Sequence, residues 1–229
     1  EVLTVMGSLT RKAAIVGVGL SDLGHTPDKT FLQLIAQATQ RALDDAGLKK
    51  SDIDGLFSAG WITMESIMVA EYLGIQPTYS DNTLPGGSAF EFHVEHAVAA
   101  ISAGLCETAL ICYAETPLSD RKRRITRSFT TGNPHETEEQ FEIPYGQWVP
   151  IRTYALAAQR HMYQYGTTSE QLAEIAVAAR KWASLNHLAS MRDPLTVKDV
   201  LRSPMLSTPL RLLDCCLVSD GGGAVIITS

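Results

Sequence analysis

The sequence contains no apolar run approaching the roughly 20 residues of a membrane-spanning helix, no excess of basic side chains, and no C-x-x-C pair. The first absence rules against a spanning helix. The second argues against nucleic acid as a partner. Lys and Arg number 19 against 25 Asp and Glu, and phosphate attraction needs a concentrated basic surface. The third bears on the four cysteines, Cys106, Cys112, Cys215 and Cys216, which lie in or beside apolar segments without the spacing of metal ligands. They read as buried, reduced thiols of a cytosolic protein, and no bound metal is expected. Residues 1–10 lack the basic, apolar and small-residue layout of a signal peptide, and Met6 is a candidate natural start. A cytoplasmic location follows as an expectation. Internal repeats and low-complexity segments are missing too.

The chain has 229 residues, 45% of them apolar and 19% charged, enough for one large domain or two small ones with a real core. Ala13-Ala14-Ile15-Val16-Gly17-Val18-Gly19 is a continuous apolar run ended by glycine, the pattern of a strand buried on both faces. Residues 31–46 carry Leu34, Ile35, Ala38, Ala42 and Leu43 at helical spacing, and Gly47 stops them. Residues 53–57 predict a second strand, 66–73 a short helix ended by Gly74, and 78–84 a third extended segment. A long small-residue helix over 89–103 precedes a buried strand at 107–114. Alternation of this kind predicts an α/β fold with a mixed, mostly parallel sheet between helix layers. The pattern breaks down over residues 117–150, too long a stretch for an ordinary connection and so a candidate functional segment. Helices are predicted at 153–165 and 169–186. Ser169 is expected to cap the second, and Leu172, Ile175, Ala176, Ala179 and Trp182 to share one stripe. A glycine-rich turn at 218–223 feeds a last apolar strand.

Several patterns are candidates for chemistry. Gly17-x-Gly19 resembles a dinucleotide loop only briefly: Asp22 occupies the third glycine position, and no helix starts at once behind it. His93 and His96 lie one helical turn apart with Glu95 between them. Without a third ligand they read as packing histidines, or as ones bonded to a neighbouring carbonyl, more readily than as a metal site. Arg121, Lys122, Arg123 and Arg124, with Arg127, are the one concentration of positive charge in an acidic chain. They make either a solvated loop face or a clamp for the phosphates of an anionic small substrate. Tyr145 and Tyr154 flank the same segment. A tyrosine can donate or accept a proton when its pKa is lowered, although most merely pack. Finally, Gly86-Gly87-Ser88 opens the long helix.

In that order the segments resemble the thiolase superfamily, and within it the thiolase-like lipid-transfer or sterol-carrier group, which also resembles acetyl-CoA acetyltransferases. The stretches carrying the likeness are Ala14-Ile15-Val16-Gly17-Val18-Gly19, Ala42-Leu43-Asp44-Asp45-Ala46-Gly47, Ile53-Asp54-Gly55-Leu56 and Ala70-Glu71-Tyr72-Leu73-Gly74. Ala99-Ala100-Ile101-Ser102-Ala103-Gly104, Arg211-Leu212-Leu213-Asp214-Cys215-Cys216 and Ser219-Asp220-Gly221-Gly222-Gly223-Ala224 complete the series. Each is generic alone; the ordered set is specific.

The resemblance implies a fold of two similar halves, usually a homodimer, acting on acyl-coenzyme A thioesters with no further cofactor. It divides this chain into an extension at 1–10 and a thiolase-like N-terminal domain at 11–229 with a loop subdomain at about 117–150. On this division the family's C-terminal half is expected to be absent. Thiolases place a nucleophilic cysteine at the start of the long helix, where the helix dipole favours a thiolate. Counted back from Gly104, that position is Gly87, with Ser88 beside it. Some relatives without this cysteine resemble aldolases that split β-hydroxyacyl-CoA compounds such as steroid side-chain thioesters, a retro-aldol reaction needing no covalent acyl acceptor. Such an activity is expected here. The alternatives are an acyltransferase whose nucleophile comes from elsewhere, and a non-catalytic acyl-CoA or lipid-binding subunit. Aligned on Tyr165-Gly166, Tyr154 falls beside the acyl group. The resemblance makes Arg121, Lys122, Arg123, Arg124 and Tyr145 candidate substrate contacts. It also implies a small partner protein of zinc-ribbon and OB type.

Overall fold

The computed structural model describes residues 9–59, 64–122, 133–146 and 150–229. In chain order these form β1 (Ala14–Leu20), α1 (Phe31–Ala46), β2 (Gly55–Phe57), α2 (Glu65–Leu73), β3 (Tyr79–Asp81), α3 (Ala89–Ser102), β4 (Thr108–Glu115), α4 (Pro117–Lys122), α5 (Thr137–Phe141), α6 (Pro150–Tyr165), α7 (Ser169–Leu185), α8 (Val197–Arg202), β5 (Met205–Ser207), β6 (Leu210–Arg211) and β7 (Gly221–Thr228). The chain divides into two compact units, residues 1–123 with 219–229, and residues 124–218.

The first unit is built on a five-stranded sheet of order β1-β7-β4-β2-β3. β2 runs parallel to both β3 and β4, whereas β7 lies antiparallel between β4 and β1. Four strands therefore point one way and one points the other, the mixed, mostly parallel sheet expected. Side chains of β4 alternate between two cores. Leu110, Cys112 and Ala114 join Leu34, Ile35, Ala38, Ala42 and Leu43 of α1 and Val69 and Leu73 of α2. Ala109 and Ile111 join Ala97, Ala100 and Ile101 of α3 on the opposite face. Being covered on both sides is why β4 reads as an unbroken apolar run.

Helix α1 follows its sequence signals closely. Thr30 and Gln33 form a reciprocal capping box, and Gly47 closes the helix in the left-handed conformation at φ 68°. Its buried stripe contains all five apolar positions predicted for it. The Gly17-x-Gly19 pattern finds its explanation here. A Cβ on Gly17 would lie 2.3 Å from the carbonyl oxygen of Ala42, and one on Gly19 2.2 Å from that of Ala38. The two glycines let the helix backbone rest directly on the strand. They serve packing, not phosphate binding.

The opposite face of β1 is open, which corrects the expectation of a strand buried on both faces: an apolar run shows that a strand can be covered twice, not that a second layer lies on it. Val16, Val18 and Leu20 are exposed there. With Phe90, Ile111, Tyr113 and Val225 the last two line a shallow apolar groove of about 220 Å³. Helix α3 covers the other strands on this face, including Ile227 of β7, and leaves Val16, Val18 and Leu20 of β1 exposed.

Asp220 joins the ends of the unit. This 1% exposed carboxylate accepts from the N–H of Leu118 and Ser119 at 2.9 and 3.1 Å, and from the N–H and hydroxyl of Thr26 at 2.9 and 3.3 Å. The Ser119 hydroxyl donates to it as well. Burial alone raises its pKa, but these donors outweigh burial and hold the carboxyl below its ordinary value.

In the second unit, α7 packs with α8 and the 3-10 turn Leu212–Asp214, and β5 and β6 form a hairpin. Two expectations are corrected here. The cap of α7 is Thr168, in a capping box with Gln171, and Ser169 is the first helical residue. The expected stripe is not the buried one either: Ala173 is buried, while Ile175 and Trp182 are 68% and 72% exposed. Both sides of this helix are apolar, so periodicity could not choose the side that faces α8. Residues 117–150, read as aperiodic, include α4, α5 and the 3-10 turn Ile143–Tyr145.

Two stability predictions follow from these contacts. Gly19→Ala is expected to lower the free energy of unfolding by about 2–3 kcal/mol, measured by denaturant titration, because the methyl cannot be placed without moving α1. Asp220→Asn is expected to cost about 3 kcal/mol near neutral pH. The folded carboxyl titrates below its unfolded value, so its contribution is present above about pH 4 and is lost as pH falls through the folded pKa. The deficit of the variant should therefore shrink in acid; a constant deficit from pH 7 to pH 3 would contradict this account.

Candidate functional site

Strands β2, β3 and β4 end along the same edge of the sheet, where ligands settle in folds of this kind. The segment after β3 leads into α3 and contains Gly86, Gly87 and Ser88. Gly86 sits at φ 116°, a conformation that side chains resist, and its carbonyl accepts from the N–H of Ala89 at 3.1 Å. Gly87 lies outside that region, and a Cβ built on it would meet nothing within 4 Å. Ser88 is exposed at the N-cap, yet its hydroxyl makes no capping bond. The turn is thus open, with room for a side chain at 87, and points the start of a 14-residue helix outward.

What precedes the turn is tied down. The carboxylate of Asp81 accepts from both the N–H and the hydroxyl of Thr83, each at 2.7 Å. Its second oxygen lies 2.6 Å from Nδ1 of His96, an ion pair when the imidazole is protonated. Burial pushes the Asp81 carboxyl up, but Thr83 and His96 outweigh it and leave the carboxyl below its ordinary value. His93 is fully buried, and its Nε2 lies 2.9 Å from the carbonyl oxygen of Thr83. A carbonyl only accepts, so Nε2 carries the proton. Burial lowers the pKa of His93 and keeps the ring neutral. The two histidines are therefore bonded packing residues, one of them to a carbonyl as expected. Among the described residues no group of three or more His, Cys, Asp or Glu could hold a metal.

The thiols of this unit are poor nucleophiles. Cys106 packs under Gly55, and burial pushes its pKa up to about 11. Cys112 is pushed to about 12, first by burial and then by the charge of Glu65, a buried residue that accepts from the Ser58 hydroxyl at 2.9 Å. In the second unit Cys215 is half-buried and Cys216 exposed, which corrects the expectation that all four are buried.

The remaining candidates divide between the units. Arg121 and Lys122 end α4, both exposed, in the first unit. Tyr154, on α6, and Tyr145 belong to the second and are 69% and 81% exposed. Arg123, Arg124 and Arg127 lie outside the described residues. Asp81 and Thr83 escaped sequence reasoning altogether. The single available signal was the turn-forming Asp81-Asn82-Thr83 itself, which is common in loops.

No protein-family model matches the chain. It is 34% identical over 225 residues to the 17-hydroxy-3-oxo-4-pregnene-20-carboxyl-CoA lyase of Mycobacterium tuberculosis, covering 96% of this chain and 58% of that protein. It is 32% identical to an acetyl-CoA acetyltransferase of Methanothermobacter thermautotrophicus, covering 95% of this chain and 57% of the relative. Among solved structures, the Ltp2-ChsH2(DUF35) aldolase superposes with a TM-score of 0.84 at 32% identity, over 95% of this chain and 55% of the other. The chain therefore has a thiolase-like fold, and its homologues are thiolase-like proteins of the sterol-carrier type. It spans little more than half the length of these relatives.

The geometry predicts a clear order of thiol reactivity. Iodoacetamide should label Cys216 in the native protein and leave Cys106 and Cys112 untouched until it unfolds, as read by peptide mass spectrometry. Labelling of Cys112 at the rate of Cys216 would contradict the burial described here.

Proposed function

We propose that the chain forms part of a CoA-dependent lyase that splits a β-hydroxyacyl-CoA by retro-aldol cleavage. The observation carrying this reading is the sterically open position 87, occupied by glycine, in a unit whose two thiols are buried and weakly acidic. Acyl transfer through a covalent thioester needs a thiolate at that point; bond cleavage by retro-aldol does not. The identity with a CoA-linked lyase supports the same side.

In this reaction a base takes the proton from the β-hydroxyl, and the O–H electrons form the carbonyl of a ketone or aldehyde. The Cα–Cβ bond breaks, and its electron pair passes into the thioester as an enolate, later protonated at Cα. Backbone N–H groups in the first turn of α3 would hold the enolate oxygen, since the helix dipole favours negative charge there. Arg121 and Lys122 would pair with the coenzyme A phosphates. The relative solved as an Ltp2-ChsH2(DUF35) complex supports a small partner protein of the zinc-ribbon and OB type. The bare apolar face of β1 supports a further domain or subunit covering the sheet, as does the greater length of the relatives. A homodimer in the cytoplasm completes the reading, and among the described residues no helix is long and apolar enough to cross a membrane.

The second reading is an acyltransferase whose nucleophile is supplied elsewhere, favoured by the 32% identity with an acetyl-CoA acetyltransferase. The two separate cleanly. The lyase should release a free ketone or aldehyde from a β-hydroxyacyl-CoA without added coenzyme A, and should keep its activity after iodoacetamide. Loss of activity on alkylation, or a strict need for free coenzyme A, would favour transfer. Tight binding of acyl-CoA without turnover, partner present, would instead mark a binding subunit.

A further inference from the structure

Residues 81–83 are held from three directions. Strand β2 reaches them through the N–H of Ser58, which donates to the carbonyl of Asp81 at 3.2 Å. The start of α2 reaches them through the N–H of Ser66, which donates to the side chain of Asn82 at 2.8 Å. Helix α3 reaches back through His93 and His96, which bond Thr83 and Asp81 at 2.9 and 2.6 Å. The third contact is the unusual one. Side chains from the second and third turns of a helix grip the segment that leads into that same helix, closing a loop around residues 84–92.

Every backbone hydrogen-bonding group of Thr83 is engaged: its N–H by Asp81 and its carbonyl by His93. No such bond is recorded for the exposed side chain of Ser88 at the cap, and Gly86 and Gly87 are open on the surface. An exposed, glycine-rich turn is thus anchored at one end by a buried polar cluster and at the other by the first turn of α3. The rings of Phe57 and Phe90 pack against His93, one tilted and one edge-on, with centroids 5.9 Å away, and restrict its orientation. Its Nδ1 is buried and has no hydrogen-bond partner among the described residues. A histidine retained at that cost, where an apolar residue would fill the space, points to the bond made by its other nitrogen.

We propose that Asp81, His93 and His96 are positioning residues that clamp Thr83 and so fix the Gly86-Gly87-Ser88 turn over the first N–H groups of α3. The clamp rests on the lyase reading only for the identity of the oxygen held there. Gly87 itself offers a reporter that needs no substrate. Its space and backbone accept a cysteine, and a thiol there senses the helix N-terminus through its acidity.

The experiment is Gly87→Cys in the full chain with Cys215→Ser and Cys216→Ser. The rate of iodoacetamide labelling at residue 87 is followed from pH 6 to pH 10. With the clamp intact, the thiol is expected to titrate about one pH unit or more below the ordinary value near 8.5. Adding Asp81→Asn, which keeps an acceptor but removes the charge facing His96, should raise that midpoint and slow labelling at pH 7 about threefold or more. His96→Gln, at a half-exposed position, should do the same and carries the test if Asp81→Asn does not fold. Leu43→Ala, in the α1 core, lowers stability without touching the clamp and should leave the midpoint where it was. An ordinary thiol in the parent would overturn the proposal. So would unchanged titration in both clamp variants, or an equal shift in Leu43→Ala. None of these readings involves acyl-CoA, so failure of the clamp and failure of the lyase reading are told apart.

Discussion

The buried carboxylate of Asp220 is the point on which the first unit depends. Three segments far apart in sequence meet on its two oxygens: the loop after β1, the start of α4, and the entrance to β7. β7 is the antiparallel strand that must slot between β1 and β4 after the whole second unit has been made. Its glycine-rich beginning offers little side-chain surface to fix register. A charge that cannot be buried without donors supplies the missing specificity, since sliding the strand would leave it unpaired. The donors are supplied by loops whose positions are set by β1 and β4, so the carboxylate reports correct assembly of the sheet.

The same logic recurs at the site. α3 begins at a glycine turn that has no side chain of its own to hold it, and the order comes from Asp81, Thr83 and two histidines reaching back from the helix. Glycine leaves the space at 87 open, and the polar cluster behind it ties down the segment that leads in. Openness and precision are divided between adjacent segments. That division suits the thioester site proposed for this turn, which needs both room and fixed hydrogen-bond donors.

Much of this was legible beforehand. The apolar run of β4, the stripe of α1 and the order of helices and strands all followed from periodicity, because each is covered on known faces by elements nearby. The turn at Gly86-Gly87-Ser88 could be located by resemblance. Less legible were contacts joining residues that no local pattern relates. The bond from His96 to Asp81 spans fifteen positions, and both types occur routinely on surfaces. The stripe on α7 failed for a different reason: two apolar sides compete, and only its neighbours select one.

The sequence by itself determined the α/β alternation, the apolar stripe of α1 and the stop of that helix at Gly47. These are properties of neighbouring residues, set by backbone conformation and by burial with short periods. The tertiary structure alone decided that Gly17 and Gly19 serve helix packing and that β7 runs against its neighbours. It also placed His93 and His96 against Thr83 and Asp81 of the segment before α3. Each of those depends on what a distant segment brings within hydrogen-bond or van der Waals reach, and no local spacing encodes that distance.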